Sequence, residues 1–275
     1  MTPTVTLNDG TELPALGLGT VEADGEDMAA TVTAALDSGY RLIDTALSYG
    51  TEPGVGRAVA ASTVPREDIR ITTKIPGRFH GYDEAKESAR SSLNDLGVDY
   101  IDLLLIHWPL PKVDKYVDTW RAMIDLQKDG LVKSIGVSNF TAAHLDRLEA
   151  ETSVVPSVNQ IELHPYFPQA ELRAYHAQHG IVTESWSPLG RGSELLKASP
   201  VADAAHAHGV SPGQVVLRWH VQLGAIPLPK SSNPDRQKQN LDVFGFELTD
   251  EEVAAISGLE RGRIWDQDPD IYEEF

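Results

Sequence analysis

The chain has 275 residues, no cysteine, and 23 Lys and Arg against 41 Asp and Glu, for a formal net charge of -18. A hydrophobic content of 41% with 23% charged residues is globular composition, and the length suits two average domains or one large α/β barrel. Without cysteine there is no disulfide, thiolate metal site, iron–sulfur cluster or cysteine nucleophile, which fits a reducing cytoplasm. The acidity argues against nucleic acid or an anionic membrane surface as a partner.

The N-terminus carries neither a basic n-region nor an apolar h-region, so no signal peptide is expected. No apolar run approaches bilayer length; the strongest, Leu103 to Ile106, is strand-sized. From Val5 to Leu13 the residues alternate around Asp9-Gly10, a dipeptide suited to a hairpin turn. Thereafter short apolar runs at 15–18, 41–43, 69–72, 101–106, 134–137, 157–161, 181–184 and 225–228 predict strands. Segments with helical spacing lie between them, at 27–38, 54–61, 83–96, 117–128, 142–150, 169–179 and 212–223. Boundary residues agree: Thr141 as an N-cap, Ser211-Pro212 as a helix start, and Gly97, Gly130 and Gly180 after helix ends.

Eight strands alternating with helices predict a parallel sheet with helical cover. Eight such units in this length favour a closed (β/α)8 barrel with an N-terminal β-hairpin and an extra C-terminal helix, a single domain over 1–275. The open-sheet alternative wants G-x-G-x-x-G after the first strand, and Gly17-Leu-Gly19 is followed by Glu22 where the third glycine would stand.

In a barrel, reactive side chains stand at the carboxyl ends of strands. Those positions hold Asp44 and Tyr49, Lys74, His107-Trp108, Ser138-Asn139, Gln160 and Glu162, Trp186-Ser187, and Lys230-Ser231-Ser232. Singly, each has an ordinary structural reading: a cap, a packed ring, a lysine reaching to water. Together, a phenol, an ammonium, a carboxylate and an imidazole converge on one mouth. A nearby ammonium is expected to lower the phenol pKa toward the working range, and Asp44 is the natural counter-ion of Lys74. His107 is placed to orient a carbonyl. Such a set suits proton donation to an oxygen becoming an alkoxide. The chain lacks H-E-x-x-H, clustered carboxylates and G-x-S-x-G, so no metal site or serine hydrolase is expected.

Asp44-x4-Tyr49-Gly50, Lys74 and Leu104-Leu-Ile-His-Trp-Pro109 resemble the catalytic segments of the aldo-keto reductase superfamily. So do Gly136-Val-Ser-Asn-Phe140, Asn159-Gln-Ile-Glu-Leu-His-Pro165, Ser187-Pro-Leu-Gly190, and Pro229-Lys-Ser231 with Arg236 and Asn240. Glu184-Ser-Trp-Ser-Pro-Leu-Gly190 and Asn240-Leu-Asp-Val-Phe244 resemble its prokaryotic 2,5-diketo-D-gluconate reductase branch. The resemblance implies an NADPH-dependent reductase of aldehydes and ketones, monomeric, with a small-molecule carbonyl substrate such as a keto-sugar or α-dicarbonyl. It implies Tyr49 as general acid, Lys74 as its modulator, Asp44 as the partner of Lys74, and His107 as the carbonyl-orienting residue. For the cofactor it implies Ser138, Asn139 and Gln160 at the carboxamide and Trp186 stacked on the nicotinamide. Thr20, Ser187, Leu189, Gly190 and Leu228 would line the cofactor path. Lys230, Ser231, Ser232 and Arg236 would hold the 2′-phosphate, with Gln239 and Asn240 near the adenine.

The chain departs from the family pattern at Val21, where many relatives carry an aromatic residue, and at Ile75-Pro76, where many carry Trp after the catalytic lysine. Both border the carbonyl pocket, so a wider, less aromatic pocket is expected. Trp108 is the main substrate-facing residue expected there, and Trp265 in the acidic tail from Arg261 to Phe275 is placed to close over the mouth. Two other functions compete. A Schiff-base lyase would need Lys74 neutral as a nucleophile. A cofactor-sensing subunit would not need all four catalytic positions filled.

Overall fold

The computed structural model describes residues 2–21 and 27–274; Glu22, which follows the first-strand turn, and Phe275, which ends the acidic tail, lie outside them. At the N-terminus β1 (Thr4–Thr6) and β2 (Glu12–Pro14) pair antiparallel, with Val5 opposite Leu13. The hairpin is the expected one, but its connection is wider than a two-residue turn. Leu7 N donates to Thr11 O at 2.8 Å, and Gly10 takes φ 86°, a left-handed value that glycine adopts without penalty.

Eight strands follow in chain order: β3 (Leu18–Gly19), β4 (Leu42–Asp44), β5 (Arg70–Ile75), β6 (Ile101–Ile106), β7 (Val132–Ser138), β8 (Val158–Glu162), β9 (Val182–Trp186) and β10 (Ala225–Pro227). Each pairs in parallel with its sequence neighbour. Two backbone bonds close the ends of this sheet: Gly17 N donates to Pro227 O at 3.1 Å and Gly19 N to Pro229 O at 3.2 Å. The seam is tight. A Cβ on Gly17 would meet the Leu228 and Leu42 side chains at 2.7 Å, and one on Gly19 would stand 3.0 Å from the Leu228 carbonyl oxygen. These glycines let the last strand approach the first, and the (β/α)8 architecture follows.

Around the sheet lie α1 (Met28–Ser38), α2 (Glu52–Ala61), α3 (Tyr82–Leu96), α4 (Tyr116–Lys128), α5 (Ala142–Thr152), α6 (Ala170–His179), α7 (Ser199–His208), α8 (Pro212–Gln222), α9 (Pro234–Leu241) and α10 (Asp250–Ser257). Their ends are marked as the residues demand. Gly39, Gly97 and Gly180 take left-handed C-caps, and Ser211 and Gln214 form a capping box. The expected C-terminal helix is α10, started by a Thr249–Glu252 capping box. Helix α7 was not expected. Its buried face is carried by Val201, Ala204 and Ala205, too little apolar contrast to register as periodicity.

The strands have two apolar faces, and alternation sorts them. Ile43, Ile71, Ile75, Leu104, Ile106, Ile135 and Val137 pack outward in one cluster with helix residues such as Val32, Leu36, Ala89 and Trp120. Leu42, Leu103, Leu105, Val158, Ile226 and Leu228 pack inward with Leu7 and Leu13 of the hairpin, which plugs one end. Two residues further along the same inward rows stand Asp44, His107, Gln160 and Lys230. The inward face thus changes from leucine to polar at the carboxyl end of the barrel, where the site forms. Among the described residues no helix is long and apolar enough to cross a membrane.

Candidate active site

Lys74, on β5, is fully buried. Its Nζ donates to both oxygens of Asp44, at 2.7 and 2.9 Å, and to the Thr45 carbonyl at 2.9 Å. The same ammonium stands 5.2 Å from the centre of the Tyr49 ring. Tyr49 ends a single 3-10 turn, Leu47–Tyr49, which Gly50 closes in the left-handed region at φ 69°. His107 meets Tyr49 edge-on, with ring centroids 5.7 Å apart and planes at 73°. Three neighbouring strands therefore bring the four catalytic candidates into one contact group.

The electrostatics differ from expectation in one respect. Burial pulls the Lys74 ammonium down, but the Asp44 carboxylate more than offsets it, so Lys74 stays charged with a raised pKa. Tyr49 was expected to be lowered. Burial instead raises its phenol more than the Lys74 ammonium lowers it, and the Asp44 and Glu274 charges add to the rise. The phenol is held firmly in its protonated form.

Asp44, Tyr49 and His107, with Lys74 buried behind them, open onto a cavity of about 540 Å³ at the carboxyl end of the barrel. Of the expected cofactor residues, Ser138, Asn139, Gln160, Trp186, Ser187, Leu189, Leu228 and Lys230 line it, and so do Val21, Trp108 and Trp265. Asn139, in the left-handed region at φ 64°, is engaged on all sides. Its Nδ2 donates to the His107 carbonyl at 3.0 Å and to Ser138 Oγ at 3.1 Å, while its Oδ1 accepts from Trp186 Nε1 at 2.8 Å. The indole is thereby fixed in the wall, a flat face on which a planar ring can stack. Trp108 is almost fully buried, and Tyr272 covers it at a centroid distance of 4.4 Å. Trp265 stands 6.2 Å from Trp186, with the Arg191 guanidinium 4.5 Å over its ring.

The remaining expected residues do not line this cavity. Thr20 turns its hydroxyl to the Asp44 carbonyl at 2.9 Å, supporting the backbone of the site. Gly190 sits at φ 68° in the turn after β9. Ser231, Ser232, Arg236, Gln239 and Asn240 lie beyond the cavity, at and within α9. There Arg236 Nε stands 3.5 Å from Ser231 Oγ, and Asn233 caps the Asp235 and Arg236 amides. Lys230 at the cavity edge, with Ser231, Ser232 and Arg236 beyond it, adds cations and hydroxyls of the kind that bind phosphate to a site that already holds a fixed indole and an amide. Among the described residues no group of three or more His, Asp and Glu is disposed to hold a metal ion.

Sequence reasoning missed two acids. Glu184 is completely buried beside Gln160, and its inward position two residues before Trp186 is the signal. Glu274 reaches the site from the C-terminal tail with Tyr272, and no local pattern announces it. The tail is tied down by Arg261 N and Gly262 N, which donate to Tyr166 O, and by Ile264 N, which donates to Glu162 Oε1 at 2.7 Å.

Comparison with known proteins agrees with this geometry. A family model described as Aldo/keto reductase family matches residues 15–261. The chain is 60% identical to the 2,5-diketo-D-gluconic acid reductase B of Corynebacterium sp. (strain SHS752001), over 99% of this chain and 98% of that protein. It superposes on a crystal structure of a Gox0644 mutant in complex with NADPH with a TM-score of 0.94 and 43% identity, over 99% of each chain. An aldo-keto reductase of Bombyx mori in complex with NADP gives a TM-score of 0.92 at 35% identity, over 100% of this chain and 98% of that one. This chain belongs to the aldo/keto reductase family and is an oxidoreductase acting on carbonyl groups.

Proposed function

We propose that in this NADPH-dependent carbonyl reductase Tyr49 is the general acid, Lys74 and Asp44 govern its charge balance, and His107 holds the carbonyl oxygen. When bound, NADPH supplies the hydride that reduces the carbonyl carbon. Tyr49 supplies the proton: as the oxygen gains negative charge it becomes a stronger base than phenolate, and the phenolic proton passes to it. The Lys74 ammonium then faces a phenolate rather than a phenol, an interaction stronger after proton transfer than before it. Solvent returns the proton to Tyr49. The observation that carries this reading is the buried Lys74–Asp44 pair, bidentate at 2.7 and 2.9 Å, behind a tyrosine that opens with His107 onto the cavity.

At the cofactor, Gln160 and Ser138 bind the carboxamide, Trp186 stacks on the nicotinamide, and Ser187, Leu189, Gly190 and Leu228 follow the dinucleotide. Lys230, Ser231, Ser232 and Arg236 take the 2′-phosphate, with Gln239 and Asn240 by the adenine. Asn139 acts mainly through Trp186, since its own side-chain groups are bonded within the protein. A Schiff-base role for Lys74 is disfavoured because its ammonium is paired and its pKa raised.

The substrate is a keto-sugar or α-dicarbonyl. The name of the Corynebacterium relative and the exposed Val21 at the cavity edge support this, since a small aliphatic side chain leaves room for a polar chain. The whole chain acts as one barrel domain, a monomer in the cytoplasm. Following NADPH absorbance over keto-sugars, α-dicarbonyls and aromatic aldehydes tests the substrate class. Aromatic aldehydes outranking the other two by kcat/KM would reject it.

A further inference from the structure

One fully buried acid lies against the catalytic group and has no part in the proton transfer. Glu184, on β9, is in register with Gln160 on β8 and with Ile226 on β10. Gln160 Nε2 donates to Asp44 Oδ2 at 2.8 Å and to Glu184 Oε2 at 2.9 Å. A side-chain amide nitrogen carries two protons, so these bonds spend both. Gln160 lines the cavity, and the polar atom left for a ligand is its carbonyl oxygen, Oε1. Reversing the amide would set that oxygen against an ionised Asp44, which is repulsive.

We propose that Glu184 is a positioning residue: with Asp44 it anchors both N–H groups of Gln160 and so holds Oε1 toward the cavity, ready to accept a hydrogen bond from the nicotinamide carboxamide. The inference rests on the reading of Gln160 as a nicotinamide ligand. With Asp44 alone the amide would pivot about a single bond; the second anchor fixes its plane. A pre-oriented acceptor binds without the cost of ordering it.

The charge balance fits this role. The charged groups facing Glu184 are Asp44 from β4 and Lys74 from β5, while β8 offers the Gln160 amide and β10 offers Ile226. One ammonium cannot neutralise two carboxylates, so Glu184 is the one that stays protonated. Burial, and then the Asp44 charge, push its carboxyl up to about 8. In that form Oε2 still accepts from Gln160, and the proton resides on Oε1, which has no hydrogen-bond partner among the described residues.

The test titrates two ligands, NADPH and adenosine 2′,5′-bisphosphate, which lacks the nicotinamide, against intrinsic tryptophan fluorescence. Glu184→Met deletes the acceptor and should weaken NADPH about 5- to 10-fold, the range of one hydrogen bond, while leaving the bisphosphate unchanged. Glu184→Gln restores an acceptor oxygen and should bring NADPH back to within about twofold of wild type. Glu184→Ala is the alternative deletion should the methionine variant not fold. Equal weakening of both ligands would mean a merely structural role and overturn the proposal. Gln160→Ala separates the two readings. If it weakens NADPH and the Glu184 deletions do not, the positioning role falls alone. If Gln160→Ala leaves NADPH unchanged, Gln160 is not the ligand, and the inference falls with that reading.

Discussion

Glu274 Oε1 lies 2.6 Å from His107 Nδ1, and Glu274 Oε2 accepts the Gly77 amide at 3.2 Å. The C-terminal tail thus places a carboxylate on the residue that faces the carbonyl. Burial pushes the Glu274 carboxyl up, but hydrogen bonds from His107 and Gly77 outweigh it, so the group is ionised with a lowered pKa. Paired to His107, this carboxylate still adds negative charge to the cavity wall, so it disfavours an acid relative to its uncharged ester without excluding acids. Glu274→Gln should therefore shift the kcat/KM ratio of a keto acid over its methyl ester toward the acid, by about 3- to 10-fold at low salt and less at high salt. An unchanged ratio would show that the tail carboxylate does not face the bound substrate.

The Lys74–Asp44 pair predicts a shifted pH profile. The Lys74 ammonium is the main influence pulling the Tyr49 phenol down against burial. Lys74→Met removes it, so alcohol oxidation, which needs phenolate to take the proton, should move to higher pH and slow by about 10²-fold or more near neutrality. Asp44→Asn should lower the melting temperature, since breaking a buried ion pair costs about 3–5 kcal/mol. A wild-type pH profile in Lys74→Met would dismiss the coupling. Borohydride with a carbonyl substrate should leave Lys74 unmodified.

Cofactor choice is predicted to rest on the entrance to α9. Lys230→Gly or Arg236→Ala should weaken NADPH about 10- to 150-fold, the range for one partner of a charged hydrogen bond, while barely affecting NADH. Equal losses for both cofactors would place these residues on the shared part of the dinucleotide or on the barrel rim.

Glu184 predicts a pH-dependent stability. Its folded carboxyl titrates near 8, against an ordinary value of 4.5. Between those values the folded chain holds a proton that the unfolded chain has released, so Glu184 makes stability fall as pH rises through that window. Glu184→Gln has no such proton. Its melting temperature relative to wild type should climb from pH 5 to about 8 and then level off. A constant difference across that range would mean Glu184 is ionised in the fold.

Much of this was legible in the residues because barrels place chemistry by alternation. Leu42 then Asp44, Leu105 then His107, and Val158 then Gln160 each put a polar group two places beyond an inward apolar one, at a strand end. Alternation alone also selects Glu184, but among the polar neighbours Thr183 and Ser185 of β9 an acid reads as ordinary until Gln160 is seen across the ladder. Helix α7 escaped because alanines carry its buried face. Glu274 and Tyr272 escaped because their positions depend on the path of the tail, set by Tyr166 and Glu162 far back in the chain. The direction of the Tyr49 shift was misjudged for a related reason: the ammonium is visible in the residue list, whereas the burial that outweighs it is a property of the packed barrel.

Carbonyl reduction depends most directly on the Tyr49 proton. Tyr49→Phe keeps the ring, and with it the edge contact to His107, while deleting the phenolic oxygen. Titration of tryptophan fluorescence with NADPH should give wild-type affinity. Single-turnover reduction of a good carbonyl substrate, followed by NADPH absorbance, should then fall by about 10²–10⁴-fold. A variant that binds NADPH normally and still reduces the carbonyl within a few-fold of the wild-type rate would contradict the assignment of Tyr49 as the acid.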